Sequence, residues 1–182
     1  MSDFPAGGFT TCTGARMVKR ESPVVQPAGD AEAARHMRAW LLLVSALAVH
    51  VLDEALTDFL DFYNPLVLSI RSRVPWFPMP TFTFGVWLAG LVLLVIVLAV
   101  LARAVRRGGV AIWLASWVLG IIMLTNGLGH LAGSVYFQRW LPGATSAPLL
   151  IAASVFLLRV TQQRQRADLA QARATGTPGN HV

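Results

Sequence analysis

The chain has 182 residues, of which 55% are hydrophobic and only 13% charged. That charged share is about half the usual value for a soluble domain, so the composition reads as an integral membrane protein. The net charge of +6 does not indicate nucleic acid: the basic residues flank apolar segments and form no single patch, a placement that fits membrane topology and anionic lipid.

Residues 1–34 are rich in Gly, Pro, Ala and Thr without apolar periodicity, and are expected to be a disordered tail. The single cysteine, Cys12, lies there and allows no internal disulfide. A membrane domain is expected over residues 35–160, built from four hydrophobic segments. The first runs from about Arg38 to Phe62, the second from Phe82 to Ala102, the third from Val110 to Phe137 and the fourth from Pro142 to Leu158. Crossing a bilayer as a helix takes about 20 mostly apolar residues. The second and third segments meet that easily, the fourth is short, and the first qualifies only if its polar end faces protein or water. A signal peptide cleaved after Ala46-Leu47-Ala48 is a competing reading of the first segment, opposed by the long preceding tail and the short apolar core.

Between the first two segments, Asn64–Thr81 contains Pro65, Pro75, Pro78 and Pro80, a density that opposes a helix. Trp76 and Phe77 suit a membrane interface. Residues 161–182 form a basic tail, of which Thr161–Ala174 has the composition of a helix lying on the membrane surface. Arginine and lysine concentrate before the first segment (Arg16, Lys19, Arg20, Arg35, Arg38), in the second connection (Arg103, Arg106, Arg107) and in the tail (Arg159, Arg164, Arg166, Arg173). The opposite side has only Arg71, Arg73 and Arg139. This bias predicts an all-α, four-helix transmembrane bundle with both termini in the cytoplasm.

The feature with chemical content is a run of ionisable residues inside the first segment. His50, Asp53 and Glu54 follow the apolar stretch Trp40–Val49 directly, with Asp58 and Asp61 soon after. A charged group at membrane depth costs about 2.5–3.5 kcal/mol on insertion scales and is a functional candidate by default. On one continuous helix His50, Glu54, Thr57 and Asp61 share a stripe, flanked by Asp53 and Asp58. The third segment carries Asn126 and His130 on one face, at similar depth if both segments run outward. Gly129 and Gly133 stand beside His130 in a small-xxx-small spacing that favours close helix contact.

Three chemistries fit. In the first, His50, Glu54 and His130 ligate zinc, iron or manganese, Asp53 shares the catalytic work, and Asn126 and Asp58 contact substrate or support the ligands. In the second, Glu54 acts as acid or base with His50 and no metal is needed. In the third, the histidines and acids only hold the bundle together. The leading expectation is a metal-dependent membrane hydrolase or oxidoreductase acting on a lipid or other apolar substrate in a bacterial plasma membrane. A metal-free isomerase-like enzyme, and a non-enzymatic ion or proton relay or accessory subunit, are the alternatives. No P-loop, dinucleotide fingerprint, catalytic serine motif or paired-cysteine zinc motif is present.

The two clusters together resemble the HxxEE-domain family of small bacterial membrane proteins. The match consists of His50-x-x-Asp53-Glu54, then Asn126-x-x-x-His130, Tyr136 and Arg139-Trp140-Leu141-Pro142-Gly143-Ala144-Thr145. It covers about Arg38 to Arg159 and excludes both tails. Asp53 stands where the family usually has the first Glu, one methylene longer. The resemblance implies a polytopic membrane protein with an enzymatic site, and it implies no substrate.

Overall fold

The computed structural model describes residues 27–76 and 78–174, which form five helices: α1 (Pro27–Leu56), α2 (Phe59–Arg73), α3 (Phe84–Arg107), α4 (Val110–Tyr136) and α5 (Ala147–Ala174). No strand occurs among the described residues. The expectations placed on residues 1–26, including Cys12, Arg16, Lys19 and Arg20, and on Phe77 and residues 175–182, lie outside them. Helix α1 starts at Pro27, inside the stretch expected to be a tail.

Helix α1 carries one buried stripe. His36, Trp40, Leu43, Leu47, His50 and Glu54 are all buried and follow one another at three- and four-residue spacing, the period of a helix face. The stripe is polar at both ends and apolar in the middle. Its apolar part packs on α3 and α5, and the Trp40 indole N–H donates to Leu98 O at 2.8 Å.

The first segment is not one helix. At its end Thr57 donates both its N–H (3.0 Å) and its hydroxyl (2.6 Å) to Asp53 O, and Asp58 then turns left-handed at φ 55°. Aspartate tolerates that conformation better than most residues. Asp61 therefore belongs to α2 and leaves the stripe of His50 and Glu54. The proline-rich connection is also more helical than expected. Pro65 lies inside α2, removing one hydrogen bond from a helix that continues past it. Pro75, Pro78 and Pro80 all fall beyond its end.

Three helices, α1, α3 and α4, are long and apolar enough to cross a membrane. The expected fourth span is not among them. In α5 the apolar run Ala147–Leu158 ends at Arg159, about 18 Å of helix at 1.5 Å per residue, against a hydrocarbon core of about 30 Å. The expected surface helix is the continuation of this same α5. Thr161 and Arg164 are buried on it, so it packs on the bundle at least that far.

Helix α4 packs chiefly on α5 and touches α1 at few positions. The glycines that permit close approach are Gly120 and Gly127. A Cβ at Gly120 would meet Leu158 Cδ2 at 2.7 Å, and one at Gly127 would meet Ile151 Cγ1 at 2.8 Å and Ala147 O at 3.1 Å. At Gly129 a Cβ would meet nothing, and at Gly133 it would touch only Leu141. The small-residue contact expected between the first and third segments is therefore made, at different glycines, between α4 and α5.

Contacts at one end fix the relative directions. His36 near the start of α1 meets Ser116 early in α4 and Thr161 and Arg164 late in α5, while Arg164 reaches Val105 O at the end of α3. Helices α1, α3, α4 and α5 thus alternate in direction. The N-terminal end of α1 and the C-terminal half of α5 share one end of the bundle.

Candidate metal centre

At the other end, α1 presents His50 and Glu54 one turn apart, and α4 presents His130 to the same point. Glu54 Oε1 lies 3.1 Å from His130 Nε2 and 3.6 Å from His50 Nε2. One ligand atom from each of the three residues lies within 4.8 Å of the others. The two imidazoles meet edge to face with ring centroids 4.8 Å apart. His50 is fully buried and Glu54 is 6% exposed. The matched depth expected for the two polar clusters holds.

The neighbours set the tautomer of each ring. His130 Nδ1 donates to Pro142 O at 2.7 Å. A carbonyl can only accept, so Nδ1 carries the hydrogen. His50 Nδ1 meets Ser146 Oγ at 2.8 Å. That hydroxyl donates to Asp53 Oδ2 (2.7 Å), with Gly143 O as a longer acceptor at 3.2 Å. Both are pure acceptors, so the serine accepts from His50 Nδ1–H. In their neutral forms both rings therefore carry their lone pair on Nε2, the atom nearer Glu54 Oε1. That of His50 accepts from Asn126 Nδ2 at 3.2 Å. His130 Nε2 and the Glu54 carboxylate have no such donor between them. Two acceptors 3.1 Å apart in a buried site need a cation between them, either a metal ion or a proton.

The donor set fits a metal. Two neutral imidazoles and one carboxylate suit zinc, iron or manganese. Atoms bonded to one ion at about 2.1 Å are roughly 3.4 Å apart along a tetrahedral edge; the two contacts of Glu54 Oε1, at 3.1 and 3.6 Å, bracket that value, within a set that spans up to 4.8 Å. Each histidine also has its other nitrogen held by a hydrogen-bonded partner, the usual support for a ligating imidazole.

The remaining site candidates divide. Asp53 joins no ligand atom of the cluster: Oδ2 accepts from the Ser146 backbone N–H (2.9 Å) and hydroxyl (2.7 Å), so it orients His50 through Ser146. Asn126 touches His50 directly. Asp58 is exposed at the turn after α1 and lines a pocket of about 310 Å³ together with Glu54, Asp61 and Asn64. Residues of the connection complete that pocket. Asn64 Nδ2 donates to Phe82 O (2.9 Å), and Phe82 N–H donates back to Asn64 Oδ1 (3.1 Å). Tyr63 donates its hydroxyl to Pro80 O at 3.0 Å, and burial raises that phenol above its ordinary pKa, keeping it a donor. On the other side a groove of about 300 Å³ opens on Asn126 and His130, with Phe62, Leu66, Phe137 and Leu141 as apolar walls. Arg139 lies over the Phe62 ring at 5.3 Å from its centroid.

Ser146 was not anticipated from sequence, and Gly143 only as part of the run Arg139 to Thr145 that carries the resemblance. Both belong to the turn before α5, and the one further signal was their place in the short turn after Pro142. A Cβ at Gly143 would meet His130 Nδ1 at 2.9 Å and Glu54 Cγ at 3.1 Å, and its φ is +80°. Only glycine lets the turn lie against both ligands.

The fold and site define an all-helical protein with three candidate membrane spans and a buried His/Glu/His cluster contributed by two of them. The family described as "Protein of unknown function with HXXEE motif" matches residues 40–157, and the chain belongs to that family. His50 and Glu54, the first and last positions of the motif, are both in the cluster, and Asp53 stands where the motif has its first Glu. Neither the curated proteins nor the solved structures contain a match to the chain.

Proposed function

We propose that this chain is a multi-pass membrane enzyme in which His50, Glu54 and His130 hold a divalent metal, zinc, iron or manganese, and act on a lipid or other apolar substrate. The observation that carries the reading is the approach of His130 Nε2 (3.1 Å) and His50 Nε2 (3.6 Å) to one carboxylate oxygen, with the Nδ1 hydrogens of both rings already engaged elsewhere. Bound there, the ion would supply Lewis-acid polarisation and an acidified water for hydrolysis, or, as iron, redox chemistry.

The protein's own residues do the rest. Asp53 and Ser146 hold His50 in register, and Pro142 O does the same for His130. Asn126 donates to His50 Nε2 and lines the apolar groove, so it is placed to exchange that bond for one to substrate. Asp58 stands at the polar mouth. The apolar walls of the groove, Phe62, Leu66, Phe137 and Leu141, favour a hydrocarbon substrate reaching His130 from the bilayer. The arginines at the end of the bundle away from the cluster support placement of both termini in the bacterial cytoplasm.

Elemental analysis of the detergent-purified chain, beside His50→Ala and His130→Ala variants that keep their helical circular dichroism, tests the reading. Near-stoichiometric metal, lost in both variants, is expected. A well-folded wild type that takes up none of the three metals on add-back would sink it. The 3.1 Å contact between His130 and Glu54 then favours the second reading, a proton shared by the pair for acid–base chemistry, in which activity survives chelators.

A further inference from the structure

The end of the bundle opposite the metal cluster holds a second cleft, of about 520 Å³, between the N-terminal end of α1 and the C-terminal end of α3. Arg103, Arg106 and Arg107 line it with Asp30, over an apolar floor of Ala33 and Met37. Arg106 and Arg107 follow Arg103 by three and four residues, so both are its neighbours on the helix surface, where like charges repel. Among the described residues none of their guanidinium groups makes an ion pair or a hydrogen bond.

A fourth guanidinium lies directly behind them. Arg164 is 9% exposed and donates to His36 Nδ1 (3.0 Å), Val105 O (2.8 Å) and Arg106 O (3.2 Å). All three acceptors are neutral. Among the described residues its buried charge pairs with no carboxylate, although Glu32 lines a neighbouring cleft with it. The two carbonyls it binds belong to the last turn of α3, which is the negative, anion-repelling end of a helix. Arg164 therefore cancels that repulsion and adds positive potential where three unpaired arginines already face a cleft. The cleft lies where two candidate spans end together, the level at which lipid headgroups would stand if both cross a bilayer.

We propose that this cleft binds a phosphate-bearing anion, held by Arg103, Arg106 and Arg107. Guanidinium forks match phosphate oxygens two at a time, and the floor of Ala33 and Met37 accepts the apolar part of an amphiphile. Either a phospholipid headgroup or free inorganic phosphate supplies this chemistry. The site is separate from the His50 cluster and does not depend on a metal there.

The test uses the full chain in neutral detergent and native mass spectrometry with phosphatidylglycerol or phosphatidylcholine of identical acyl chains. A parallel arm follows thermal unfolding with added inorganic phosphate. The triple variant Arg103→Gln/Arg106→Gln/Arg107→Gln removes the donors, and Ala33→Phe fills the cleft with all charges kept. Arg71→Gln/Arg73→Gln, on α2, is the control for bulk charge. Preferential retention of phosphatidylglycerol, weakened about tenfold or more in the triple variant and in Ala33→Phe but not in the control, supports the lipid source. No lipid preference, with phosphate raising the Tm of wild type and not of the triple variant, supports the free anion. Equal retention by wild type and both cleft variants without a phosphate effect overturns the proposal, as does an equal loss in the control.

Discussion

Ser146 ties Asp53 to His50: it accepts from the imidazole Nδ1–H at 2.8 Å and donates to the carboxylate at 2.7 Å. The two members of the motif on α1 are thus joined through a residue at the start of α5, and Asp53 acts on the cluster at one remove. Replacing Ser146 by Ala leaves the buried His50 Nδ1 without its partner, while Asp53 Oδ2 keeps only the bond from the backbone N–H of residue 146. The substitution is expected to lower stability by about 1–3 kcal/mol and to weaken metal binding about 10- to 100-fold. Thermal unfolding with and without chelator, followed by metal titration, separates the two effects. Unchanged metal affinity would remove Ser146 from the site.

The two acids of the motif are expected to differ in kind. Glu54→Gln removes the one carboxylate oxygen shared by both histidines, and metal should be lost entirely. Asp53→Asn keeps an oxygen able to accept from Ser146 and removes the charge, so it should retain metal at reduced affinity. Metal content measured after dialysis against graded chelator orders the variants. The reverse order would make Asp53 a ligand.

Gly143→Ala tests the turn. The new methyl cannot be placed without moving His130 or Glu54 Cγ, and the positive φ adds about 1 kcal/mol of strain or more. Loss of metal with helical circular dichroism intact is the expected outcome. An alanine variant that binds metal as wild type does would show that the turn is free to retreat.

Metal removal should lower the Tm of wild type, because an ion bound only by the folded state stabilises it by mass action. The same chelator should leave His130→Ala unchanged. Retention should also fall as pH is lowered, since protons compete for the Nε2 lone pairs that bind the ion. A Tm indifferent to chelator in wild type carrying measured metal would place the ion outside the core.

Arg164 is expected to matter for stability at the other end. Arg164→Met removes the donor of His36 Nδ1 and Arg106 O and leaves Val105 O only the longer bond from Gly108 N–H at 3.3 Å. A loss of about 1–3 kcal/mol follows from leaving the buried imidazole nitrogen unpaired, partly offset by no longer burying an uncompensated charge. Metal content should not change, because no contact links Arg164 to His50, Glu54 or His130 among the described residues. Denaturation in mild detergent measures the first and elemental analysis the second.

The sequence by itself determined the helical class, the apolar segments, and the residues of the cluster. Helical period and membrane hydropathy are local properties, and a histidine and a glutamate four apart inside an apolar run stand out against their surroundings. The same locality explains the errors. A single left-handed residue, Asp58, ends α1 and moves Asp61 to another helix, and no periodicity reports a turn of that kind. Pro65 reads as a breaker, whereas the helix simply gives up one hydrogen bond. The tertiary structure alone decided that α4 leans on α5 through Gly120 and Gly127, that Ser146 and Pro142 set the two imidazole tautomers, and that Arg164 is buried with no counter-ion among the described residues. Each of these joins residues far apart in the chain, and such contacts are selected by the packing of whole helices, which no single stretch of sequence encodes.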